Sequence, residues 1–318
     1  MNNAKLSEDL LEDLFIILRA NLLKWSKITN QTPQARMGYV GQHLTSIVTG
    51  YKGGKSGARG RDLLIGKSEF GEIKTCYRID QLGTCLDCKK QVASFELECL
   101  FCGGNSIERK DDSKWLITIK DEKELKEIFE PKEYFLVLFE FIEFNNPKDI
   151  NVFIYTVDPN TAGFSLCMID YFFNIRSKSN SKAPFNLWPH QFKFFLMKPK
   201  LIYHSVIKQN NTITTKIFPN DNNSKIIELG NLSTHSRSTT LTLKVIEDIY
   251  KFFKSENRSK DKETSLKILQ EILNKKKITN SQTADLLSNF IYKDVLIKNK
   301  KFVPNKTLEE IKVSLDQI

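Results

Sequence analysis

The chain contains no apolar run approaching the ~20 uninterrupted residues that cross a bilayer, so no membrane span is expected. It also opens without the pattern of a secretory leader. Glu8, Asp9, Glu12 and Asp13 break up the first apolar run and Arg19 follows it, so a cytoplasmic location is expected. There is no internal repeat of useful length, which sets aside solenoids and propellers. Histidine is scarce: His43, His190, His204 and His235 show no metal-like spacing, and each is read as structural. A phosphate-binding loop is missing too. Gly50 to Ser56 looks like one, but three residues rather than four separate its first glycine from its Gly-Lys pair. It also leads from a helix into a strand, the reverse of the required order.

What remains is a globular chain of 318 residues, 40% hydrophobic, long enough for a sizeable core and two domains. Its formal net charge of +10 suits a polyanionic partner, because each cation placed on a phosphate releases condensed counterions. Charge alone equally describes a solvated lysine surface.

Four of the six cysteines form two Cys-x-x-Cys pairs, Cys85/Cys88 and Cys99/Cys102. Zinc prefers tetrahedral thiolate coordination, and each pair presents two sulfurs from one tight turn. Two pairs complete the tetrahedron and leave no open position, so a structural Zn2+ site is expected. Gly83, Gly103 and Gly104 flank the pairs, where knuckle turns call for positive φ angles. Disulfides are the alternative, and a reducing cytosol argues against them. Cys76 and Cys167 are read as small buried hydrophobes.

Leu10, Leu11, Leu14, Phe15, Leu18 and Leu22 recur at helical spacing and predict an amphipathic helix over 8–27. Thr32-Pro33 looks like the start of a second helix, ending before Gly50. A basic, glycine-rich loop follows, then strands at 62–65 and 70–77. The cysteine segment, 83–106, looks inserted. Beyond it a strand at 115–119, a helix at 121–129 and strands at 134–141 and 150–157 are expected. Residues 164–218 are dense in aromatics and predict further strands, with the run from Phe185 to Phe195 read as core. The polar stretch 219–240 reads as a linker, and 241–318 as a helical subdomain. The fold class is therefore α/β, a mixed sheet flanked by helices. Residues 278–287 faintly suggest the start of a helix-turn-helix.

The chemistry concentrates on Asp62, Glu72 and Lys74. Phosphodiester hydrolysis calls for a metal that polarises the phosphate and lowers the pKa of water. Mg2+ takes hard oxygen ligands, usually including one or two carboxylates. Glu72 and Lys74, two apart on a strand, share a face, while Ile73 points into the core with its carbonyl still available. Other Glu-x-Lys triplets occur at 124–126, 130–132 and 310–312. The first and last fall in expected helices, where such a spacing shares no face. Plain strand-end charges are the bland alternative. Lys52, Lys55, Arg59 and Arg61 supply phosphate-binding charge just upstream, and a solvated loop is the alternative there.

These residues resemble the PD-(D/E)XK nuclease superfamily. More specifically, Gly38 to Leu44, Gly57 to Asp62, Glu72 to Cys76, the paired cysteines and Asp111 to Trp115 are similar to the MamI-type restriction endonucleases over about 38–160. The resemblance implies a PD-(D/E)XK catalytic domain over 1–218, with Asp62 and Glu72 as Mg2+ ligands and Lys74 activating water. Gln42 stands where many superfamily members carry a glutamate that assists the metal. Arg61 replaces the proline of the superfamily's name. The resemblance further implies a type II enzyme that cuts double-stranded DNA at a palindromic site as a homodimer, beside a companion DNA methyltransferase. A repair or recombination nuclease of the same fold is one alternative. A zinc-ribbon nucleic-acid-binding protein without catalysis is the other.

Overall fold

The structure, a computed structural model, describes residues 2–33, 35, 37–54, 61–77, 82–110, 113–141, 143, 147–180, 183–235, 241–256 and 259–318. In chain order its elements begin with α1 (Asn3–Leu11), α2 (Leu18–Thr29) and α3 (Gly38–Thr49). Strands β1 (Lys52–Gly53), β2 (Leu63–Ile65) and β3 (Glu69–Tyr77) follow, then the short β4 (Leu82–Cys85), β5 (Gln91–Ala93) and β6 (Ile107–Glu108) of the cysteine segment. Next come β7 (Trp115–Ile117), α4 (Glu122–Glu127), β8 (Glu133–Phe141), β9 (Ile150–Val157), α5 (Ala162–Asp170), β10 (Phe185–Leu187), α6 (Phe192–Leu196), β11 (Lys200–Ile207) and β12 (Ile213–Ile217). Helices α7 (Leu232–His235), α8 (Leu243–Phe252), α9 (Lys262–Lys275), α10 (Asn280–Ile291), α11 (Lys293–Lys298) and α12 (Asn305–Gln317) complete the chain.

Two compact units divide these elements, and each is assembled from separate stretches. The first takes Met1–Trp115, Glu133–Thr156 and Leu201–Ser224. Its centre is a mixed seven-stranded sheet in the order β1-β2-β3-β8-β9-β11-β12. β2 and β3 form an antiparallel hairpin, and β3 runs parallel to β8 with Glu72 opposite Tyr134. Ile73, Phe135, Val137, Phe139, Val152 and Ile154 point to one face of the sheet and bury Leu11, Phe15, Val40 and Leu44 of the helices against it. The alternation of side chains along a strand leaves Glu72 and Lys74 on the opposite face.

The expected third strand does not join this sheet. β7 pairs with β10 in a separate two-stranded ladder, because both edges of β3 are already taken, by β2 and by β8. The first helix also departs from its simple stripe. A π-helical stretch at Glu12–Ile17 connects α1 to α2. Such a turn widens the repeat and shifts the phase of the face, which leaves Leu14 and Leu18 both 37% exposed while Phe15 is buried. The second helix starts at Gly38 rather than at Thr32-Pro33.

The second unit takes Leu116–Lys132, Val157–Lys200 and Lys225–Ile318. α5 lies where strands were expected. All its residues from Ala162 to Ile169 are buried, and a helix apolar on every side carries no period to read. The expected linear division into 1–218, 219–240 and 241–318 thus runs across these units: α5 packs on α10 and α12, and the polar stretch contains α7. Phe185, Phe192, Phe194 and Phe195 are buried core. Residues 278–287 do open a helix, α10, whose Thr279 closes a capping box with Gln282. Residues Thr283 to Ser288 of α10 are buried on every side, so α10 has no exposed face to lay in a DNA groove.

Candidate active site and cysteine cluster

The hairpin β2–β3 builds the acidic site. Its register pairs Leu63 with Gly71 and Leu64 with Phe70, and one residue further along Asp62 comes beside Glu72. Asp62 Oδ2 accepts the backbone N–H of Ile73 at 2.8 Å, and Oδ1 accepts Nε2 of Gln42 at 3.2 Å. Lys74 forms an ion pair with Glu72 Oε1, its side chain 29% exposed against 11% for the glutamate. Gln42 of α3 thus joins Asp62, Lys74 joins Glu72, and the register of the hairpin sets Asp62 opposite Glu72. The donor set is hard: two carboxylates and the main chain of β3. Such ligands suit Mg2+, and the half-exposed ammonium keeps access to solvent.

Sequence reasoning missed Tyr134. It is buried opposite Glu72 on the parallel neighbour β8. Burial, with the Glu72 charge behind it, pushes its phenol above the ordinary range. The only signal in the sequence was a tyrosine at the head of an apolar strand.

Of the four basic residues, Lys52 and Arg61 are exposed, and the Arg61 guanidinium lies 5.1 Å from the centre of the Phe70 ring. Lys55 and Arg59 lie outside the described residues. The chain on either side of that segment is clamped at the acid: Gly54 N–H donates to the carbonyl of Asp62 at 2.9 Å. A Cβ at Gly54 would sit 1.9 Å from the carbonyl oxygen of Arg61, so only glycine allows this closure.

The cysteine segment is a small sheet, β5-β4-β6, carrying two knuckles. In the first, Lys89 N–H returns to the carbonyl of Cys85; in the second, Gly103 N–H returns to that of Cys99. The residue that closes each turn is left-handed, Lys89 at φ 61° and Gly103 at φ 74°. Gly83 and Gly104 serve instead for close approach, since a Cβ would meet the Glu108 carbonyl oxygen at 2.6 Å or Asp87 Oδ2 at 1.9 Å. The four Sγ atoms lie within 4.8 Å of one another, with Cys85–Cys102 and Cys88–Cys99 each at 3.6 Å. A tetrahedron with metal–sulfur bonds of ~2.3 Å has edges of roughly 3.8 Å, so the cluster has the dimensions of a metal cage. The Cys88 N–H lowers the Cys85 thiol to about 7. Cys102 is held up at about 12 despite the Gly104 N–H, by the neighbouring Cys88 sulfur and by burial. Four sulfurs at these separations could hold a metal ion. Among the described residues it is the one group of three or more histidine, cysteine or acidic side chains placed so that they could hold a metal ion.

No helix among the described residues is long and apolar enough to cross a membrane. No curated protein and no solved structure matches the chain. The family model described as MamI restriction endonuclease matches residues 24–230, a span that holds α3, the acidic hairpin, both cysteine knuckles and the main sheet from β1 to β12. The chain belongs to the MamI restriction endonuclease family.

Proposed function

We propose that this restriction endonuclease is a type II enzyme that hydrolyses double-stranded DNA at a specific palindromic site with Mg2+. The observation that carries the reading is the convergence of Gln42, Asp62, Glu72 and Lys74 at one hairpin. On this reading the hairpin, β8 and α3 form a PD-(D/E)XK core. Asp62 and Glu72 hold the cation, with the Ile73 carbonyl beside them. When bound, Mg2+ polarises the phosphate and lowers the pKa of the attacking water. Lys74, as an ammonium, would orient that water and offset charge on the pentavalent phosphate. Gln42 holds the Asp62 carboxylate in place through its amide. Lys52, Lys55, Arg59 and Arg61 grip the DNA backbone and fix its register without reading sequence.

The cysteine cage holds one Zn2+ as a structural element, because four thiolates leave no open coordination position. The enzyme works in the cytoplasm as a homodimer, so that a two-fold protein meets a two-fold site, and a companion methyltransferase protects the host DNA.

The direct test is incubation of the purified protein with plasmid DNA and Mg2+, followed by sequencing of the ends. Cleavage at one defined sequence, leaving 5′-phosphate and 3′-hydroxyl ends, is expected. Cuts scattered without sequence preference would favour a repair-type nuclease, and no cuts would favour a binding protein.

A further inference from the structure

We infer that Gly41 is a positioning residue for the acid pair, because it lets α3 approach β3 closely enough for Gln42 to reach Asp62. The inference rests on the reading of Asp62 and Glu72 as cation ligands. Gly41 is buried in α3, and a Cβ placed on it would lie 2.1 Å from Oγ1 of Thr75 and 3.2 Å from its Cβ and Cγ2. Real Cβ atoms do not come so near a hydroxyl, and turning Oγ1 aside still leaves the Thr75 Cβ at 3.2 Å, so a larger residue presses the helix against the strand. Thr75 Oγ1 is shielded from solvent and has no hydrogen-bond partner among the described residues. Packing against the glycine, not hydrogen bonding, therefore sets the contact.

The next residue on the helix, Gln42, makes the 3.2 Å bond to Asp62 Oδ1. The other Asp62 oxygen is held by Ile73, which is rooted in β3 together with Thr75. One carboxylate is thus suspended between a strand and a helix, and the Gly41–Thr75 contact fixes the separation of the two. With Oγ1 in place, relieving a 2.1 Å contact takes a retreat of about 1 Å, which carries a 3.2 Å bond beyond the ~3.5 Å limit of a hydrogen bond. Asp62 then keeps its tie to the strand and loses its tie to the helix, so its free oxygen no longer faces Glu72 in a fixed direction. Misplacement on that scale is enough to weaken a bound ion and slow the chemistry.

The test uses the full-length protein and three readouts: Mn2+ binding followed by EPR of the free ion, kcat and KM for plasmid cleavage, and thermal stability. Gly41→Ala is expected to weaken Mn2+ binding and lower kcat by about tenfold, with KM for DNA within about twofold of wild type. Thr75→Ala alone, which removes the Oγ1 and Cγ2 half of the contact, is the reference for the double variant and is expected to lose Mn2+ affinity by no more than about threefold. Adding Thr75→Ala to Gly41→Ala removes the atoms that meet the new methyl, and recovery to within about threefold of wild type is expected. Should Gly41→Ala fail to fold, Thr75→Val presses on the helix more gently from the strand side and is expected to lose Mn2+ affinity by about threefold. The inference is overturned if Gly41→Ala binds Mn2+ and cleaves like wild type, or if the double variant is no better than the single one. A wild-type protein that cleaves no DNA and binds Mn2+ no better than Asp62→Ala removes the cation-site reading itself, and the inference with it.

Discussion

Asp62 reaches across its hairpin to the main chain of Ile73, with Oδ2 2.8 Å from the amide nitrogen. The first acid is therefore aimed by the main chain of β3 together with the Gln42 amide, and its neighbour Glu72 is carried by the same strand. Asp62→Asn keeps the size of the side chain and an acceptor oxygen for Ile73, and removes the charge. Fold and metal-free DNA binding are expected to survive, with Tm within a few degrees of wild type. Cleavage is expected to fall by at least about 100-fold, because charge that meets the cation in the transition state is gone. Gel cleavage beside filter binding measures both.

The cysteine cage makes a separate prediction. Metal analysis of the purified protein is expected to find one zinc per chain, held by Cys85, Cys88, Cys99 and Cys102. Cys88→Ser opens the cage and is expected to lose the ion, and a strong chelator is expected to lower Tm of the wild type by melting β4, β5 and β6. Their hydrophobic support is small: Val92 and Ile107, with Leu100 and Phe101 partly buried beside them. So few apolar side chains cannot hold a segment of this length without a further link. Retention of full stability after the metal is stripped would contradict a structural role.

Much of this was legible in the residues. The strands at 70–77, 134–141 and 150–157 are short, apolar and β-branched or aromatic, and each appears within a residue of its expected bounds. The cysteine spacing and the Asp62, Glu72, Lys74 set are local patterns, and the structure brings each set together. What the sequence could not convey was set by partners distant along the chain. β7 has a strand's composition, but β3 is already paired on both edges, with β2 and with β8, and β7 pairs with β10 instead. α5 is enclosed on every side, so its helical period was invisible. The link from Gln42 to Asp62 depends on how closely α3 lies on β3, which no spacing rule contains.

In the second unit Lys198 is enclosed between two acids. It lies 2.9 Å from Asp285 Oδ1 and pairs with Glu310, with side chains only 10%, 4% and 27% exposed. Lys198→Ala leaves the buried Asp285 and the partly buried Glu310 without a cation and is expected to cost about 3 kcal/mol near neutral pH. The sign of the pH dependence follows from the shifts. Burial disfavours the Lys198 charge, but Asp285 and Glu310 outweigh it and raise the group above its ordinary 10.5. Its stabilisation is therefore present below that pH and is lost as pH climbs through the folded-state value. Burial also raises the Glu310 carboxyl, so the folded state takes up that proton more readily than the unfolded chain. The difference between wild type and Lys198→Ala is thus expected to be largest near pH 7, and to shrink in mild acid and in strong alkali. Chemical denaturation across that range measures it.

Lys52 and Arg61 are exposed beside the acid hairpin. If each neutralises one phosphate, removing either lowers the slope of log K against log salt by about 0.9 and weakens specific and non-specific DNA alike. Arg61→Ala also strips a cation from the Phe70 ring, but that exposed contact contributes little to folding, and Tm is expected to hold. A loss confined to one DNA sequence would instead mean that Arg61 reads bases.

The central claim is that the Glu72–Lys74 strand pair performs hydrolysis rather than merely balancing charge. The measurement that decides it is Mg2+-dependent plasmid cleavage by wild type and by Lys74→Ala, with DNA affinity recorded for both. Discrete fragments are expected from the wild type and none from Lys74→Ala, with affinities within about twofold of each other. Identical fragments from the two proteins would contradict the claim.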